Sequence, residues 1–256
     1  MSTQYADDTS LTICNKDVNI LITMTNELLE EVNGWCIQNR LQLNSSKTQL
    51  INFNFKNVIS DVEKSNLVSL DDTDIIFLNS SKVLGVHIDK NMKWETHIGE
   101  LSKKLSKALF VIKSLKLIVH HDVLKQCYFA YFHSILLYGL EIWGHAPDYL
   151  LQKIFKLQKY AIRILCNEHY RASCRELNLF ERINILPLPA LYIYQITVFI
   201  KKNPQYLEES IPVHNYETRH KHMYTPFKHR TTAYKKGPIA GQFCPSTLSG
   251  RDRRSD

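Results

Sequence analysis

Asp7 and Asp8 are the residues whose type and spacing could do chemistry: adjacent carboxylates flanked by segments that favour extended backbone. Thr3 to Tyr5 precede them and Thr9, Leu11, Thr12 and Ile13 follow, which predicts an antiparallel hairpin with the acidic pair at or near its turn. Two anions held that close repel. A divalent cation bound by hard oxygen ligands relieves the repulsion, and Mg²⁺ is the natural candidate. A solvated acidic corner fits the same two residues, so their surroundings in the chain must decide.

Lys47 is the second chemical candidate, in Leu41-Gln42-Leu43-Asn44-Ser45-Ser46-Lys47-Thr48. Beside a strand returning to the hairpin, its ammonium could protonate or neutralise a departing pyrophosphate. Spacing alone favours a solvated lysine on a turn rich in Asn and Ser. Cys166, His169 and Cys174 invite a zinc reading, but no fourth ligand accompanies them and their spacing matches no finger, so buried thiols are expected.

These residues need elements to position them. Helical periodicity from Asp17 to about Arg40, through Ile20, Met24, Leu28, Val32, Trp35 and Cys36, predicts an amphipathic helix on a sheet, with a bend or step at Gly34. Leu41 to Phe55 reads as strand, Lys56 to Ser65 as a loop, and Asn66 to Leu70, Asp74 to Leu78 and Lys82 to Asp89 as short strands. Asn79, Ser80 and Ser81 would turn the last hairpin, and Gly85 would mark a bulge or a close backbone approach.

From Trp94 to about Lys202 the period is helical. Leu101, Leu105, Ala108, Leu109, Ile112 and Leu115 form one stripe, while Lys103 and Lys107 point away and Lys104, Lys113 and Lys116 flank or oppose it. Such a face suits phosphate backbone, and a solvated lysine face fits it too. His120-His121-Asp122 opens the next helix. Its aromatics Tyr128, Phe129, Tyr131, Phe132, Tyr138 and Trp143 are expected in the core. That apolar run, Tyr128 to Gly144, contains His133 and Glu141 and reads as a buried helix too short to span a bilayer. Pro147 restarts a helix burying Ile154, Leu157, Gln158, Ala161, Ile162 and Leu165, with Lys153, Lys156, Lys159 and Arg163 on its basic edge. A final apolar stretch, Leu191 to Ile200, follows Pro187 and Pro189.

Charge is distributed unevenly along the 256 residues. Residues 1–80 carry 5 Lys and Arg against 11 Asp and Glu, residues 81–200 carry 16 against 9, and residues 201–256 carry 11 against 5. An acidic front before a basic middle and tail suits a protein that handles a polyanion and keeps a separate metal site. Cys14, Cys36, Cys127, Cys166, Cys174 and Cys244 show no paired spacing, and reduced thiols in a nuclear or cytoplasmic setting are expected. No GxGxxG, GxxxxGK[ST] or Gly-x-Ser-x-Gly element occurs, so nucleotide-loop and serine-hydrolase chemistries lose their usual support.

Taken in order, three groups of residues resemble the reverse transcriptases of non-long-terminal-repeat retrotransposons, the jockey-like group in particular. They are Tyr5-Ala6-Asp7-Asp8, then Trp35 with Asn39 to Thr48, then Val83-Leu84-Gly85-Val86-His87-Ile88-Asp89 with Trp94 and His97-Ile98. Leu136-Leu137-Tyr138-Gly139, Trp143-Gly144, Leu157-Gln158 to Arg163 and Tyr216-Glu217-Thr218-Arg219 are similar to the region after the polymerase in the same elements.

The resemblance implies an α+β fold, a truncated right-hand polymerase: palm hairpin, helix and strands over residues 1–90, a helical thumb and extension over 91–203, and a basic, mobile tail over 204–256. Asp7 and Asp8 would be catalytic and hold Mg²⁺, Asp7 chiefly. Tyr5 and Ala6 would lie beside the primer end, and Lys47 would match the lysine that protonates pyrophosphate. Gly85 would sit in the hairpin that grips the primer, and Lys103 and Lys107 would face nucleic acid. Implied partners are an RNA template, a DNA primer and a polypeptide supplying the N-terminal part of the polymerase, since fingers and a third palm carboxylate are expected upstream of Met1. No membrane is involved. On this reading the chain alone is an inactive fragment of an RNA-directed DNA polymerase. The alternatives are a catalytically dead nucleic-acid-binding remnant and a pseudogene product.

Overall fold

Short β-forming segments and long amphipathic ones divide this chain into two compact units, Met1–Met92 and Lys93–Asp256. The computed structural model describes residues 2–53, 68–70 and 73–204. The expected loop at 56–65 and nearly all of the expected tail, including Tyr216 to Arg219, lie outside the described residues. The architecture is mixed, with two-stranded antiparallel pairs first and helices after them.

In the first unit Ser2–Tyr5 (β1) pairs with Asp8–Leu11 (β2), Ser2 opposite Leu11 and Tyr5 opposite Asp8. Helix α1, Val18–Gln38, begins where the Asp17 carboxylate accepts the backbone N–H groups of Asn19 at 2.8 Å and Ile20 at 3.4 Å. It ends in a left-handed turn. Arg40, at φ 56°, donates to the Ile37 carbonyl, and Leu41 reaches back to Cys36. The helix passes through Gly34 without interruption, because the intrahelical bonds on either side outweigh one glycine's cost of about 1 kcal/mol.

Ser69–Leu70 (β3) pairs with Thr73–Asp74 (β4), and the Asn26 side chain of α1 accepts the Ser69 N–H. Leu29, Val68, Leu70 and Ile75 form the small core, with Ile22, Leu43, Leu50 and Phe77 packed at its margin. Ser80–Val83 (β5) pairs with Val86–Asp89 (β6). Two expectations are corrected here. Leu41 to Phe55 contains no strand in its described part, residues 41–53: Asn44 to Thr48 form a turn, and Leu50 makes an isolated parallel bridge to Phe77. The last hairpin turns at Leu84-Gly85, not at Asn79 to Ser81, and Gly85 belongs to that turn and is not a bulge within a strand. Leu84 at φ 45° and Gly85 at φ 83° give the paired left-handed geometry whose twist matches the strands.

The second unit is helical. Helix α2, Glu95–Leu115, buries Ile98, Leu101, Leu105, Ala108, Leu109 and Ile112. It packs along α6, Asp148–Leu165, which buries Ile154, Gln158, Ala161, Ile162 and Leu165. Between them the expected single aromatic helix is broken. Helix α3, His121–Cys127, passes into a π-helical segment, Tyr128–His133, and then α4, Ser134–Leu137. The chain leaves helix at Tyr138, turns through Gly139 at φ 62°, and resumes as α5, Leu140–Trp143. Tyr128, Phe132 and Trp143 are core, whereas Phe129, Tyr131 and Tyr138 are exposed, so the expected aromatic core is half realised.

Helix α7, Leu179–Arg182, and α8, Leu188–Lys202, complete the unit. A Cβ at Gly144 would run into the Tyr192 ring of α8 and the Leu140 carbonyl, so glycine sets how close α5 and α8 come. No helix of the described residues is long and apolar enough to cross a membrane.

Candidate metal and nucleic-acid site

The register of β1 and β2 leaves Ala6 and Asp7 as a two-residue turn, closed by Tyr5 opposite Asp8. Ala6 has φ 52°. At the first position of such a turn glycine is usual, and an L-residue there costs about 1 kcal/mol. Gln4 Nε2 donates to the Ala6 carbonyl at 3.3 Å and so satisfies one turn acceptor. Asp7 therefore occupies the tip and Asp8 the first rung of the ladder. Both are exposed, and so is every residue from Ser2 to Ser10.

Hard carboxylate oxygens at one solvent-facing turn fit a hydrated divalent cation, which takes one or two carboxylates and completes its shell with water or phosphate oxygens. Among the described residues no group of three or more His, Cys, Asp and Glu is placed to hold a metal ion. The carboxylates at this turn are those of Asp7 and Asp8.

Lys47 and Gly85 sit on two further turns of the same unit. The Asn44 carbonyl accepts the N–H of Lys47 at 3.1 Å and the Thr48 hydroxyl at 2.9 Å, and Asn44 Oδ1 accepts the Ser46 hydroxyl at 2.6 Å. That network holds Lys47 exposed at the end of a tight turn whose central residues are Ser45 and Ser46. Tyr5, the last residue of β1, is 68% exposed and so presents an aromatic face next to the acidic pair.

Lys103 and Lys107 belong to the second unit, on the exposed side of α2 with Lys104 and Lys113. Lys103 Nζ meets Glu100 Oε1 at 2.7 Å, an exposed pair of the kind that contributes little to stability and leaves the ammonium available to phosphate. Cys166 and Cys174 are buried, their thiols directed at the carbonyls of Leu179 and Lys159, while His169, on the same loop between them, is exposed. Burial pushes the Cys166 thiol up, which disfavours the thiolate a metal needs.

Several residues that carried the resemblance have structural roles in the second unit. Trp94 is buried at φ 66° and donates its indole N–H to His145 Nε2 at 3.2 Å, with the rings edge to face. Burial lowers the His145 pKa to about 4 and keeps the imidazole neutral, against a backbone hydrogen bond at Ile142 that raises it. Trp143 donates to the Tyr138 carbonyl at 3.0 Å. Gln158, fully buried, donates to the Leu186 carbonyl at 3.0 Å and accepts the Leu188 N–H at 2.8 Å, clamping the entry to α8. Burial raises Tyr128 to about 12, and Gln158 beside it partly offsets the rise.

Sequence reasoning placed Gln158 in the core but missed its clamp, because the partners are backbone groups about 30 residues away. No protein-family model matches this chain, and no curated protein and no solved structure is similar to it.

Proposed function

We propose that this chain is the rear part of a reverse transcriptase of the non-long-terminal-repeat, jockey-like kind. The observation that carries the reading is the Ala6-Asp7 turn with Asp8 on the first rung beside it: two exposed carboxylates at a two-residue turn that tolerates a left-handed alanine. Backbone strain kept where glycine would relieve it points to a function for the turn.

In this reading Asp7 and Asp8 hold Mg²⁺ at the palm. Magnesium, when bound, would lower the charge on the nucleotide α-phosphate and favour the primer 3′-hydroxyl as alkoxide. Tyr5 and Ala6 flank the primer end. Lys47 gives a proton to the leaving pyrophosphate, and the Leu84-Gly85 turn lets primer backbone approach without a Cβ in the way. Lys103 and Lys107 neutralise phosphates of the template–primer duplex. A further carboxylate comes from beyond the described residues or from another polypeptide, and the protein acts in the nucleus or cytoplasm.

Primer extension on an RNA template with a DNA primer tests the reading, using this chain mixed with a polypeptide that supplies polymerase fingers and a palm aspartate. Magnesium-dependent extension is expected with the unaltered chain and not with Asp7→Asn. Equal extension by both chains, or none by either, sinks the proposal.

The lysine face of α2 favours a second reading, a nucleic-acid-binding remnant without catalysis. Binding to an RNA/DNA duplex should then weaken with salt, and replacing Lys103 and Lys107 by Gln should reduce the slope of log K against log salt by roughly 2. An unchanged slope counts against both lysines.

A further inference from the structure

The loop that leaves α6 carries an arrangement unrelated to the acidic turn. His169, Tyr170 and Arg171 are exposed in sequence, and 56% of Tyr170 faces solvent. The His169 ring lies 4.4 Å from the Tyr170 ring, and the Arg171 guanidinium lies 5.1 Å from the same ring.

Such a side chain on a slack loop would mean little, but this loop is fixed by four hydrogen bonds. The His169 carbonyl accepts the Ala172 N–H at 2.9 Å, closing a tight turn. His169 Nδ1 accepts the Arg171 N–H at 3.3 Å. Arg163, from α6, donates Nε to the Ala172 carbonyl at 2.7 Å, and Cys174 Sγ ties the far side of the loop to the Lys159 carbonyl. None of these four bonds involves the Tyr170 ring itself, but the fixed backbone beneath it lowers the entropy cost of placing a flat partner against that ring.

Charge selects the partner. Residues 153–182 carry seven Lys and Arg, at 153, 156, 159, 163, 171, 175 and 182, against three Glu, at 168, 176 and 181. An aromatic ring with a guanidinium over it, on a loop tied to Arg163 and Lys159 of the basic edge of α6, matches an unpaired base and the phosphates beside it. An acidic peptide would answer the charge but would leave the ring without a planar partner.

We propose that Tyr170, with His169 and Arg171, is a stacking platform for an unpaired base of single-stranded RNA or DNA. It is a second nucleic-acid contact, independent of the metal-site reading.

The test uses the full chain and fluorescein-labelled single strands of about 16 nucleotides, as long as the larger sites of single-strand-binding folds, as RNA and as DNA, with a duplex of equal length. Anisotropy should show Tyr170→Ala losing about tenfold in single-strand affinity, with Tyr170→Phe close to the parent and duplex binding unchanged. Arg171→Gln should flatten the salt slope by about 1, whereas Tyr170→Ala should leave it alone. Comparing RNA with DNA assigns the natural strand.

Parent-like affinity of Tyr170→Ala, equal loss on duplex, or no single-strand binding by the parent would each overturn the proposal. Circular dichroism on every variant excludes unfolding as the cause. Because no part of this assay needs magnesium or primer extension, its failure is distinct from failure of the polymerase reading.

Discussion

At the scale of single residues, His145 shows how burial becomes a measurable pH response. Its folded pKa is lowered to about 4 from an ordinary 6.5, so between those values the unfolded chain binds a proton that the folded chain refuses. Stability is therefore full above about pH 6.5, falls as the pH drops toward 4, and loses nothing more from this group below that. His133, lowered by burial as well, acts in the same direction. The loss due to His145 should be on the order of 2 kcal/mol, since the ring retains some solvent contact. Thermal melts from pH 7 to pH 4 check it: His145→Gln should flatten the profile, and a parent-like profile in that variant would refute the assignment.

The same scale shows what was legible in the residues and what was not. A carboxylate pair between β-formers announced its turn. Asn44 announced one as well, yet the strand expected after it was drawn from alternation alone, which cannot report that a neighbouring strand is lacking. Gly85 stands out in the sequence, but a bulge, a close approach and a left-handed turn all call for glycine, and only the strand register shows the turn. Gly85→Ala should cost about 1 to 2 kcal/mol in the first unit, measured by denaturant midpoint.

At the scale of elements, the glycines separate into opposite kinds. Gly34 lies inside α1 with open space where a Cβ would go, so Gly34→Ala should stabilise by about 1 kcal/mol. Gly144 lies where α5 meets α8, and Gly144→Ala should destabilise by about 2 kcal/mol or more, since the ring of Tyr192 and a backbone carbonyl would both have to shift. Urea titration of the two variants should move the midpoints in opposite directions. Periodicity read α2 and α6 well; in α1 it found the helix but not its buried side, since Ile20, Met24 and Trp35 of the expected stripe are exposed while Leu29, outside it, is buried. It failed from Tyr128 to Trp143, where a π-helical segment shifts the register of every following side chain and moves Tyr131 and Tyr138 into solvent.

At the scale of the whole molecule, the two units differ in how much apolar surface they bury. Among the described residues, the first unit buries only Leu29, Cys36, Val68, Leu70, Ile75 and Val86, and the rest of the core belongs to the second. Stability follows buried apolar area, so amide exchange should fail first in residues 2–53, with α2 and α6 the last to open. A single cooperative exchange front across both units would contradict this. The acidic front and basic middle, visible in composition, coincide with a small mixed unit and a larger helical one, although composition alone could not have placed the seam.

The Gln158 clamp bears on how this protein can drift. A carboxamide offers a donor and an acceptor on neighbouring atoms, and position 158 uses both. Glutamate would set a second acceptor against the Leu186 oxygen, leucine would strand two peptide groups, and asparagine is a methylene short. Under random mutagenesis screened for solubility, this locus should hold a single letter, whereas Lys153 and Lys156 on the outer side of the same rod should admit nearly any polar replacement.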